Sequence, residues 1–340
     1  MITKRLDISP ENYGDSIREA ARILKNEGIV AIPTETVYGL AASALSEKAI
    51  KSVFTAKGRP QDNPLIVHIS DIDMLYDVAE DIPEKAIECA KRFWPGPFTM
   101  VLKRKEGIDK SVSAGLDTVA VRMPDNTVAR DIIIESGLPL AAPSANSSGS
   151  PSPTAASHVL YDLDQKIDAV IMGENCKVGV ESTVITLVTE KPRLLRPGAV
   201  TVDQLKEILP DIEIDRAVLT EPEDKEKVSS PGMKYKHYAP KTNTYLIVSE
   251  REKFVNFVNF KKNSGAVCFD EEIGDIEIPA ISYGNSSDEK TLAKNVFSAL
   301  RKADELGVNT LYIHAPSKTG VGLAVYNRLI RAAAFKVMEL

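Results

Sequence analysis

Lys57 and Arg59 flank a glycine in Lys57-Gly-Arg59-Pro-Gln-Asp-Asn63-Pro-Leu, directly after a predicted helix. Gly58 and the two prolines hold this stretch as a defined loop. Such a loop can converge two alternating cations on one polyanion. Lysine would act as a point charge and arginine as a two-pronged donor, which suits phosphate. The same pair would also fit a solvated helix C-terminus, where the macrodipole favours cations. Pro143-Ser144-Ala-Asn146-Ser-Ser-Gly149-Ser-Pro-Ser152 follows a strand and offers hydroxyls, an amide and backbone N–H groups. Those groups bind anions, and strand ends are where α/β proteins place ligands. An ordinary polar loop would have the same composition.

Other polar groups sit at strand ends in the same way. Pro33-Thr34-Glu35-Thr36-Val-Tyr38 carries four of them. Gly179-Val-Glu181-Ser182-Thr183 and Leu194-Leu-Arg196-Pro-Gly198 interrupt apolar runs with charge. An arginine in apolar surroundings needs a paired anion, from a ligand or from an internal carboxylate. Arg122 closes the run Thr118–Arg122 and can hold a carboxylate. His68, inside Leu65-Ile-Val-His-Ile, fits a structural hydrogen-bonder better than a catalyst. Trp94-Pro-Gly-Pro97 reads as a packed turn. There is no Gly-x-x-x-x-Gly-Lys-Ser/Thr loop, no Gly-x-Ser-x-Gly elbow and no His/Cys cluster with metal-ligand spacing. Gly320-Val-Gly322 lacks the third glycine of a dinucleotide fingerprint.

The elements that must position these groups alternate between strand and helix. Gly28–Pro33, Leu65–Ile69, Thr99–Leu102, Thr118–Arg122, Leu138–Ala142, Ala169–Ile171 and Thr183–Leu187 read as buried strands. Ile17–Glu27, Glu47–Ala56, Glu84–Phe93, Thr127–Glu135 and Val202–Leu209 read as helices, the first with an apolar stripe at Ile17, Ala20, Ala21 and Leu24. The pattern predicts a mixed α/β layer fold. From Pro210 the character changes to a charge run, Glu221-Pro-Glu-Asp-Lys-Glu-Lys, and then to Ser229-Ser-Pro-Gly-Met-Lys-Tyr-Lys-His-Tyr-Ala-Pro240. After Thr242 strands are predicted at Tyr245–Val248, Ala266–Phe269 and Thr310–Ile313. Helices are predicted at Glu252–Phe260, Asp288–Leu306 and Val321–Met338.

With 340 residues, two domains are the default. A net charge of −6 argues against a dedicated nucleic-acid coat. No apolar run approaches bilayer length, and no signal segment is predicted. Cys89, Cys176 and Cys268 form neither a disulfide framework nor a CxxC site, which fits a reduced, cytoplasmic protein.

Taken together, these motifs resemble the YrdC-like threonylcarbamoyl-AMP synthases, in the longer form with an additional C-terminal domain. The matching residues are Lys57-Gly-Arg-Pro with Asn63-Pro-Leu, Pro33-Thr-Glu-Thr-Val-Tyr-Gly-Leu, Pro143-Ser-Ala-Asn, Gly179-Val-Glu-Ser-Thr and Leu195-Arg-Pro-Gly. The segment Ser230–Pro240 marks the two-domain form. The resemblance implies a YrdC-like twisted open α/β sheet with a large concave site over residues 1–209. It further implies a linker or lid over 210–242 and a smaller Rossmann-like α/β domain over 243–340. It implies condensation of L-threonine, bicarbonate and ATP into threonylcarbamoyl-adenylate and pyrophosphate, for modification of tRNA.

By the same resemblance, Lys57, Arg59, Ser144 and Asn146 carry the chemistry. Arg59, Asn63, Thr118, Ser144, Ser152, Arg196 and Tyr235 hold ATP, with the linker excluding water from a labile anhydride. Thr36, His68, Arg122, Ala142 and Ser182 hold L-threonine. Mg²⁺ arrives with ATP, held mainly by phosphate oxygens, and no organic cofactor is expected. The product is expected to pass to a tRNA threonylcarbamoyl transferase complex, with weak or no direct tRNA binding. Two rival readings are a structured-RNA-binding module and a carbamoyl-AMP-handling enzyme.

Overall fold

The computed structural model describes residues 2–221 and 238–340. Strands between Lys4 and Ile214 build one mixed sheet of twelve. From one edge the order is Lys4–Asp7, Ala169–Met172, Val30–Ile32, Gly39–Ser43, Leu140–Ala141, Ile66–His68, Thr118–Arg122, Phe98–Arg104, Thr183–Thr186, Arg193–Arg196 and Glu213–Ile214. Ala79–Glu80 pairs beside Phe98–Arg104. All seven strands predicted in this half are present, with ends shifted by at most a few residues. The short strands Gly39–Ser43 and Arg193–Arg196 were not predicted, because Gly, Ala and charge give no alternating pattern.

The helices follow local chemistry. Tyr13–Lys25 buries Ile17, Ala20, Ala21 and Leu24. Each large apolar side chain removed from water contributes about 1.5–3 kcal/mol. Glu47–Lys57 starts at Ser46, whose hydroxyl accepts from the Ala49 N–H at 3.2 Å. It stops at Gly58, where φ is 63°, a conformation glycine adopts without Cβ strain. That stop aims Lys57 inward and turns the chain into the Arg59 loop.

Strands between Asn243 and Glu339 form a second, five-stranded sheet. Every pairing in it is parallel. In chain order its strands lie 3-2-4-1-5. The Rossmann order begins 3-2-1-4-5. The Rossmann-like expectation is therefore corrected: the domain is parallel α/β, but Thr310–His314 is inserted between Asn243–Val248 and Ser264–Cys268. The helix predicted over Val321–Met338 is also shorter. It runs Gly322–Ala332, and Ala334 and Phe335 then take φ of 49° and 59°. The chain turns there into the edge strand Val337–Glu339. Apolar residues continue at helical spacing past Ala332, so the reversal is invisible to periodicity.

The core of the second sheet includes Val37 and Val180, which belong to loops of the first half. No described helix is long and apolar enough to cross a membrane. All three cysteines are free and buried.

Candidate active site

Sheet register explains where the polar residues meet. His68 and Arg122 are paired neighbours at the ends of parallel strands. Phe98–Arg104 runs antiparallel beside Thr118–Arg122, so it begins where Arg122 ends. Thr183 pairs with Phe98, and Val184 pairs with Arg196 across an antiparallel partner. One end of the sheet thus collects His68, Arg122, Ser182 and Arg196. The loops carrying Thr36 and Ser144 close over it, with Gly39 bridged to Ser144. The result is a cleft partly open to solvent, with about 780 Å³ of empty space when the solvent at its mouth is counted.

Lys57, only 4% exposed, spans the cleft wall. Its ammonium donates to the main-chain oxygens of Ser144 at 2.5 Å and Asn146 at 2.6 Å. Ser148 N–H returns a bond to the Lys57 carbonyl at 2.9 Å. The helix end and the Ser144–Ser148 loop are therefore one unit. Burial, with the Arg59 charge second, pulls the Lys57 pKa down to about 7. The Asn146 amide group donates to Ser147 and Ser150 oxygens at 2.8 and 2.9 Å, which leaves its buried Oδ1 without a protein partner.

Arg122 is 3% exposed. It donates to the Thr36 hydroxyl at 2.9 Å and the Gly96 oxygen at 3.3 Å, and pairs with Glu35 at 2.6 Å. The turn Trp94–Pro97 packs as expected: Trp94 Nε1 donates to the Phe98 oxygen at 2.7 Å. His68 Nδ1 faces the Ile66 oxygen at 3.1 Å. Burial, with the Arg122 charge second, pushes His68 down to about 3, so it is neutral at ordinary pH. Arg196 donates twice to Ser182, to its main-chain oxygen and its hydroxyl, both at 3.0 Å. The Ser182 hydroxyl is also 2.8 Å from that of Thr99.

Ten of the expected site residues line the cleft: Thr36, Lys57, Arg59, His68, Arg122, Ala142, Ser144, Asn146, Ser182 and Arg196. Four do not appear in that lining. Asn63 is fully buried, with neither side-chain polar atom hydrogen-bonded. Ser152 is buried and donates to Glu181 at 2.5 Å. Thr118 stands at the opposite end of the strand from Arg122. Tyr235, with residues 222–237 of the expected linker or lid, lies outside the described residues.

Glu181 and Tyr238 are among the lining residues that were not assigned a role from sequence. Glu181 sat in a quoted motif, but its neighbours in sequence do not show what it pairs with. Tyr238 is 6% exposed, and its ring centre lies 5.1 Å from that of Phe297 of the second half, the planes tilted by 34°. Its segment, Ser229–Pro240, could from sequence either cover the nucleotide or dock the two domains.

A mixed sheet whose strand ends deliver cations and hydroxyls into one cleft is the domain of the Sua5, YciO and YrdC proteins. That family's model, described as telomere recombination, matches residues 22–198, and the model described as threonylcarbamoyl-AMP synthase, C-terminal domain, matches residues 200–334. The chain belongs to this two-domain family. It is 42% identical to the threonylcarbamoyl-AMP synthase of Bacillus subtilis, with 100% of each chain covered. It is 43% identical to that of Pyrococcus abyssi, over 95% of this chain and 96% of the relative. The crystal structure of P. abyssi Sua5 complexed with L-threonine superposes with a TM-score of 0.91 and 40% identity, covering 100% of both chains.

Proposed function

We infer that this protein is a threonylcarbamoyl-AMP synthase, condensing L-threonine, bicarbonate and ATP into threonylcarbamoyl-adenylate and pyrophosphate. One observation carries the reading at the site. A single cleft holds Arg122 with Thr36 and His68 on one side, and Lys57, Arg59 and Arg196 around a hydroxyl-bearing loop. The first set suits an amino-acid carboxylate and the second a polyphosphate.

Arg122 takes the threonine carboxylate. A guanidinium has five N–H donors, and its three contacts here leave two for a bidentate carboxylate. Neutral His68 does not compete for that carboxylate. Thr36 and Ser182 border the same pocket, and Ala142 shapes it. The threonine amine and bicarbonate give a carbamate with loss of water. A carbamate oxygen then attacks the α-phosphorus, and the bond to pyrophosphate breaks. Arg59 and Arg196 face the phosphates. Lys57 adds positive field while holding Ser144 and Asn146 in place. Catalysis of this kind runs on positioning and charge stabilisation, so no protein nucleophile is required. Asn63, Thr118, Ser152 and Tyr235 remain assigned to ATP by family resemblance alone.

Mg²⁺ enters as part of the ATP complex. No group of three or more His, Cys, Asp or Glu among the described residues could hold it. The cleft carboxylate Glu181 and the adjacent Glu35 are each tied to an arginine. The product is handed to a tRNA-modifying transferase.

The test is pyrophosphate release from Mg²⁺–ATP and bicarbonate, with and without L-threonine. Threonine-dependent release is expected. Release indifferent to threonine would overturn the reading.

A further inference from the structure

Glu181 lines a cleft that must accept a polyanion, and its cationic partner comes from the other half of the chain. Arg328, on the helix Gly322–Ala332, is fully buried. Its Nε donates to Glu181 Oε2 at 2.6 Å, and its Nη2 to the Pro197 oxygen at 3.1 Å. Ser152 donates to the other Glu181 oxygen at 2.5 Å. Burial would raise the Glu181 pKa, but Arg328, Arg196 and Ser152 outweigh it and hold the carboxylate below its usual range. Glu181 is thus ionised beside the expected phosphate-binding residue Arg196. Further links come from the C-terminal half, among them Arg301, which donates to the Pro151 oxygen at 2.5 Å and to Asp162 at 2.7 Å, and the Ser298 and Thr154 hydroxyls, 3.2 Å apart.

We propose that Arg328 is a positioning residue for the reaction, neutralising Glu181 so that the cleft accepts the ATP polyphosphate, and that the C-terminal domain thereby completes the active site. The proposal rests on ATP being the substrate. Without Arg328, the buried carboxylate would repel phosphate and draw Arg196 away from Ser182. A charge inside a low-dielectric site acts strongly at these distances.

The experiment measures Mg²⁺–ATP affinity by calorimetry on the full chain, with pyrophosphate release read separately. Arg328→Met is expected to weaken binding at least about tenfold. Arg328→Met with Glu181→Gln is expected to recover to within about threefold of the wild type, because the repelling charge is gone. A merely structural ion pair would show its loss and its recovery in the melting temperature, which is read beside the affinity; a double variant no better than the single one in ATP affinity overturns the proposal. Unchanged ATP affinity in Arg328→Met also overturns it. If the methionine variant does not fold, Arg328→Lys keeps the charge. Its affinity should stay within about fivefold, and a larger loss in a folded protein overturns the charge role. Failure of threonine-dependent turnover in a wild type that binds ATP would instead overturn the functional reading.

Discussion

The Lys57 ammonium lies 2.6 Å from the main-chain oxygen of Asn146, 89 positions further along the chain. With the bond to Ser144, it braces the loop that carries two expected catalytic groups. Removing it leaves two carbonyls without their charged donor, and charge-assisted hydrogen bonds contribute about 1.5–3 kcal/mol each. Lys57→Met should lower kcat/KM for pyrophosphate release by about 100-fold, since small misplacements cost that much. A variant within threefold of the wild type would show that the brace is dispensable.

The same lysine sets a pH dependence. Its pKa falls from 10.5 to about 7 in the folded protein, with burial as the main cause. A lysine depressed in this way costs stability while charged. The cost is full below about pH 7 and vanishes as pH rises toward the unfolded value near 10.5. Activity moves the other way, because the neutral amine braces the loop less well. The alkaline limb of kcat/KM, which reports the free enzyme, should fall near pH 7. Bound polyphosphate favours the ammonium, so the limb of kcat should lie higher. A kcat/KM flat from pH 6 to 9 would contradict this.

Arg122 and Glu35 form a pair with side chains only 4% and 7% exposed. Arg122→Lys keeps the charge but loses the planar fork. Threonine affinity by calorimetry should drop roughly 10- to 100-fold, with ATP affinity changed little. Arg122→Ala additionally strands a buried carboxylate, which typically costs about 3–5 kcal/mol. Its melting temperature should fall well below that of Arg122→Lys. Equal melting temperatures would mean that Glu35 does not depend on Arg122.

Gly179 packs against the helix Glu289–Ala303 of the second half. Its φ is +83°, and a Cβ there would lie 2.3 Å from the Lys294 Cα. Gly179→Val should pry the second half away from the loop that bears Glu181 and Ser182. Urea unfolding should show a lower midpoint, and threonine-dependent turnover should fall with it. A folded variant with wild-type turnover would argue that this contact does not matter to the cleft.

Much of this protein was legible in its residues. Buried strands announced themselves as short apolar runs, and helices by stripes such as Ile17, Ala20, Ala21 and Leu24. The glycine after Lys57 marked a helix stop. The motifs around Thr36 and Ser144 pointed to strand ends, that of Lys57 to a loop after a helix, and those of Ser182 and Arg196 to polar breaks in apolar runs, and together they were sufficient to indicate the family. These are local signals, carried by residue type, spacing and backbone preference. What local signals cannot carry is pairing between distant segments. The order 3-2-4-1-5 of the second sheet, the reversal after Ala332 and the bond from Lys57 to Asn146 are decided by which surfaces can be buried together. Arg328 shows the limit best. Tyr326-Asn-Arg328-Leu lies in a predicted helix with nothing in sequence to name its partner, yet Arg328 is fully buried against Glu181. Only the packing of one half on the other brings that carboxylate within 2.6 Å, and a buried charge persists there because its partner is in place.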